Sequence, residues 1–171
     1  MNEKKLVENF ENRFSKFEEF WEKGVYWSGV AILSSIYNCI TKDNVSLKTR
    51  NEWMEKISKY EISQKALDSI QNEFVNYYER LKRIMSIGSK FNDDEFLFLI
   101  VYHTQLYLVR EYLKAKDIEL PNLDLDEIEE QIKELGNLKQ NKKDFLSAIN
   151  QMKRNSPIPV DIVWMRDVVY K

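Results

Sequence analysis

The stretch LDSIQNEFVNYYERLKRI, Leu67–Ile84, decides the fold class. Its apolar residues Leu67, Ile70, Phe74, Tyr77, Leu81 and Ile84 recur at alternating steps of three and four. That spacing puts them on one face of a helix, in a heptad seam that suits packing inside a bundle. The helix is expected over 63–86. Lys82 and Arg83 near its end suit the negative pole of the helix dipole, and Gly88 is expected to stop it.

The same period extends outward in both directions. Leu6, Phe10, Phe14, Phe17 and Trp21 mark a helix over 4–23 whose aromatic stripe reads as core. Residues 25–40 are apolar on most sides, as befits a helix at the centre of a bundle. The run from Gly24 to Ile40 carries no formal charge. It only reaches the lower limit for a membrane span, about 17 residues. Its serines, Asn38 and tyrosines favour a buried core helix instead. Ser46 caps a third helix over 47–60, which buries Trp53, Ile57 and Tyr60. No Gly or Pro separates it from the fourth, so the two could run on as one. A fifth helix spans 93–115, capped by Asn92 or Asp93, and Pro121 prevents its continuation. Helices over 125–135 and 140–153 follow, the first capped by Asp124 and ended by Gly136.

The expectation is an all-α, single-domain helical bundle of six or seven helices over 1–155. Residues 156–171, SPIPVDIVWMRDVVYK, form a C-terminal docking tail. Pro157 and Pro159 give the tail an extended entry, and its apolar residues fit a period of two better than 3.6; the alternative is a short terminal helix with Pro159 as its first residue. Composition agrees with the bundle. The chain has 171 residues, 43% of them hydrophobic and 32% charged, so it can bury a core and keep a polar surface. Four Gly and three Pro leave little material for β-hairpins. One cysteine, Cys39, forms no internal disulfide and no CxxC zinc site; a reducing cytoplasmic setting fits best.

The motifs of common chemistry are missing. There is no HExxH, no Glu-x-x-His pair, no GxxxxGK[ST] and no GxGxxG. Residues 122–127 resemble the start of a calcium loop, but Glu127 stands where glycine is needed and Lys133 where glutamate is needed. No metal ligand set, cofactor or catalytic residue is nominated, and the sequence leans away from an enzyme. The lone histidine, His103, lies in FLFLIVYHTQLYLVREYLK, Phe96–Lys114. Phe98, Leu99, Tyr102, Leu106, Val109 and Leu113 gather on one side of that helix. His103 falls on the flank, in a stripe with Tyr107 and Arg110. The reading is a rim histidine with one wet nitrogen, whose replacement by alanine should cost little.

Charge segregates late in the chain. Acids crowd Asp117–Glu134, where Lys133 is the one base. Lys139, Lys142, Lys143, Lys153 and Arg154 follow, with Asp144 between them. Two complementary helices explain this pattern, and a local nucleic-acid patch is the sharper alternative. The overall net charge of −2 gives that alternative no general support. Aromatics make up 13% of the chain, with four Trp and nine Tyr, residue types that also anchor interfaces.

The functional expectation is therefore a non-enzymatic protein-interaction module that self-associates or joins a larger complex, with no membrane role. Trp164, Tyr170, His103, Tyr107 and Arg110 are its candidate contacts. A nucleic-acid-associated subunit using 139–154 is the alternative. A small-ligand or enzymatic pocket near His103 is a weaker one.

Overall fold

The structure is a computed structural model that describes residues 3–23, 28–40 and 45–155, apart from the side chains of 21–23 and 153–155. Among these residues the chain forms seven helices: α1 (Glu3–Lys23), α2 (Gly29–Ile40), α3 (Leu47–Ser58), α4 (Gln64–Ser86), α5 (Asp93–Lys114), α6 (Leu125–Asn137) and α7 (Lys142–Asn155). The fold is an all-α bundle. No described helix is long and apolar enough to cross a membrane.

Two helices organise the packing. α5 touches α2, α4, α6 and α7, while α2 touches α1, α3, α4 and α5. α2 is central, as its uncharged sequence suggested, but α5 is a second hub. The consequence for α5 is burial around most of its circumference, from Phe96, Leu99 and Ile100 to Leu106, Leu108, Val109 and Leu113. α1 and α3 meet through rings: Phe10 stacks on Trp53 at 4.2 Å between centroids. Lys56 ties the same pair, reaching Glu11 at 2.7 Å and lying 4.3 Å over the Phe14 ring.

Local sequence sets the helix boundaries. Ser46, Ser63, Asn92 and Asp124 each cap a helix with a side-chain oxygen that accepts an N–H of the first turn. At α5 the cap is reciprocal, because Glu95 accepts the Asn92 N–H at 2.9 Å. Ser63 is also what separates α3 from α4: its cap begins a new helix without any Gly or Pro.

α2 receives its cap from another helix as well. Glu73 on α4 accepts the N–H groups of Gly29 and Val30 at 3.0 and 3.1 Å and the Ser28 hydroxyl at 2.8 Å. A carboxylate at a helix N-terminus satisfies orphan donors and opposes the dipole. α5 ends in a Schellman turn: the Ile118 N–H reaches back to the Leu113 C=O at 3.0 Å and Asp117 N–H to Lys114 C=O at 3.1 Å. Asp117 there has φ 56°, in the left-handed region usually given to glycine.

Two details differ from the sequence reading. The buried seam of α4 runs through Ala66, Ile70, Phe74, Tyr78, Leu81 and Met85, so it is turned towards Tyr78, with Tyr77 and Ile84 on its flank. The end of α4 agrees: the helix stops at Ser86, capped at Ile87, with Gly88 next in open space. Gly136 does not end α6 but lies inside it, where a β-carbon would sit 2.3 Å from the Phe145 ring. The missing side chain lets α7 lay Phe145 directly on the α6 backbone.

Candidate interaction surface

His103 is not on a rim. It is 1% exposed, and its Nε2–H donates to the Leu125 carbonyl at the start of α6, at 3.1 Å. The rim position failed because α6 packs over the flank of α5 that a single-helix projection leaves wet. Burial pushes the imidazole pKa down from 6.5 to about 4, assisted by the positive charges of Arg110 and Lys133. The bond to Leu125 and the charge of Asp126 oppose that shift. At neutral pH His103 is therefore a neutral tie between two helices, with no surface to offer a partner.

The other two members of the predicted stripe do meet. The Arg110 guanidinium lies 5.1 Å over the Tyr107 ring and approaches Asp126 at 3.7 Å and Glu111 at 3.6 Å. Arg110 also lines a groove of about 640 Å³ with Phe74, Lys114 and the 117–123 segment. Both signs of charge face this groove, from Arg110 and Lys114 to Asp117 and Glu119, so it has no bias towards a charged ligand.

Lys139, Lys142 and Lys143 are exposed. The side chains of Lys153 and Arg154, and all of Trp164, Tyr170 and the tail, lie outside the described residues. Below the lysines sits Asn141, fully buried. Its amide donates to the carbonyls of Ser89 and Leu135, each at 2.8 Å, and its carbonyl accepts the Phe91 N–H at 3.1 Å. That side chain pins the α4–α5 connection to the α6–α7 turn.

A surface the sequence reading missed lies at the neighbouring ends of α4 and α6. Lys82, Met85, Ser86, Gln131, Glu134, Leu135 and Leu138 line a groove of about 480 Å³. Ile87 directly follows its Ser86 wall and is 79% exposed, while Leu138 is 37% exposed. An apolar floor within a charged border is the anatomy of an interface. The available signal was slight: both Ile87 and Leu138 occupy the cap position just past the last turn of a helix, where the inward period has ended.

Compared with models of protein families, with curated proteins and with solved structures, the chain matches none.

Proposed function

We propose that this protein is a non-enzymatic interaction module, a rigid helical frame that binds another protein surface at the ends of α4 and α6. The observation that carries the reading is the groove lined by Met85, Leu135 and the 37% exposed Leu138, with Ile87, 79% exposed, one residue past the groove's Ser86. An apolar groove with charged residues in its lining suits a contact surface. The buried His103 and the half-buried Glu73 add to this reading. His103 and Glu73 are engaged with backbone groups of neighbouring helices, so each has a structural task already.

Photo-crosslinking from a probe placed at position 87 tests the reading. Crosslinks to protein should form, and Leu138→Glu should abolish them while the circular dichroism stays unchanged. Crosslinks that survive Leu138→Glu would sink the reading. Binding of labelled RNA or DNA that falls steeply with salt and with Lys142→Glu and Lys143→Glu would transfer the function to nucleic acid.

A further inference from the structure

His103 is the chain's one imidazole, and α6 is its cover. The ring is 1% exposed, and its Nε2–H reaches the Leu125 carbonyl in the first turn of α6 at 3.1 Å. A second proton goes to Nδ1, so the bond to Leu125 survives protonation. What changes is that a charge stands away from water, beside the positive end of a helix dipole. The charged groups that act on the ring are Arg110 on its own helix and Asp126 and Lys133 on α6. Two of these are cations, and the side chain of Asp126, the acid, is 83% exposed. A protonated His103 is therefore relieved by water, and water reaches it once α6 lifts.

Release of α6 is the smallest movement that hydrates the ring. α5 touches α2, α4, α6 and α7, so moving it would take the bundle apart. α6 has 13 residues, and its large buried side chains are Leu125, Ile128 and Ile132. The segment 115–124, which holds no helix, separates its start from the end of α5. Short elements with few buried apolar side chains open at a lower free energy than the whole domain.

We propose that α6 is an acid-released clasp: protonation of His103 undocks α6 from α5 while α1–α5 keep their packing, and it carries away the α6 wall of the groove, Gln131, Glu134, Leu135 and Leu138. The consequence for partners rests on the interaction reading above; the undocking does not, and its test reads α6 alone.

Native-state hydrogen exchange of the full chain, followed by NMR at pH 7.5 and 5.0 in low urea, is the test. The Gln131 and Ile132 amides of α6 should exchange through an opening with a smaller urea dependence than the Leu33 and Ile36 amides of α2, because it exposes less surface. That opening should be about thirtyfold more populated at pH 5.0 than at pH 7.5, since the imidazole pKa is about 4 when docked and 6.5 when hydrated. In His103→Gln, which cannot take up the proton, the increase should be absent.

α6 amides that match those of α2 in both free energy and urea slope would overturn the proposal, because His103 would then meet water only on global unfolding. An α6 opening that ignores pH, or one that grows as much in His103→Gln, would overturn it too. Should that variant not fold, the urea slope and pH dependence of α6 in the parent decide by themselves.

Discussion

Acidification should weaken the fold through one side chain, His103. The imidazole is 1% exposed and its pKa is held down at about 4, against 6.5 for an unburied histidine. The unfolded chain therefore takes up the proton more readily than the folded one. Stability is complete above pH 6.5 and falls as the pH drops towards 4, by at most about 1.4 kcal/mol per pH unit. At pH 5.0 the unfolded histidine is almost wholly protonated while the folded one is still mostly neutral. The accumulated loss there is about 2 kcal/mol, levelling near 3 kcal/mol below pH 4. Because this is the chain's single histidine, no other imidazole contributes to that window. Glu3 and Glu55, whose pKa values are lowered by hydrogen bonds from Ser46 and Lys59 respectively, add their losses only below the usual carboxylate range. Glu129, raised by burial, acts with the opposite sign. Its effect cancels when parent and variant are compared. Urea unfolding at pH 7.5 and 5.0 should show the parent losing about 2 kcal/mol more than His103→Gln, which keeps an amide donor for Leu125 but no titrating group. Equal losses in the two proteins would refute the reasoning, as would an NMR titration of the imidazole with a midpoint near 6.5.

Three packing predictions follow from single positions. Gly136→Ala places a β-carbon within 2.6 Å of three atoms of the fully buried Phe145 ring, so α7 must shift; a loss of about 1–3 kcal/mol is expected in chemical denaturation, and a neutral result would show the ring free to move. Asn141→Ala leaves the Phe91 N–H and the Ser89 and Leu135 carbonyls without their shared partner. It should cost about 2–4 kcal/mol, and Asn141→Asp should not rescue it, because an ionised carboxylate donates nothing to the two carbonyls. Tyr112→Phe should be neutral or stabilise by up to about 1 kcal/mol in thermal unfolding, since its buried hydroxyl meets no hydrogen-bond partner among the described residues and burial raises its pKa; a clear loss of stability would reveal a partner for that hydroxyl.

The helices were legible because their signals are local. Capping residues such as Ser46 and Asp124 and the spacing of Leu6, Phe10, Phe14 and Phe17 act within one or two turns, and α1, α3, α5 and α6 begin at or within a residue of where those signals put them. What could not be read was anything decided between helices. The wheel of α5 shows one apolar side and a flank, yet that flank is dry because α6 covers it and offers Leu125 to His103. Gly136 has the composition of a helix stop, and only the position of Phe145 turns it into a packing point. Likewise nothing in the sequence near Glu73 reveals that its carboxylate caps a helix that starts more than forty positions earlier.

The same inter-helix ties bear on where function can lie. Three polar side chains drawn into the frame join the backbone of a different element: His103 holds the start of α6, Glu73 the start of α2, and Asn141 both the α4–α5 connection and the end of α6. Such groups resist repurposing, because withdrawing one leaves buried backbone donors or acceptors unsatisfied. A partner is therefore best met where the ladder of ties has ended, at helix termini with no neighbour beyond them. Ile87 and Leu138 occupy such positions. Each follows the last turn of its helix; Leu138 lines the groove between α4 and α6, and Ile87 lies one residue past the groove's Ser86. On the interaction reading, Leu138→Glu should thus remove binding and leave stability unchanged, whereas loss of His103 or Asn141 should lower stability.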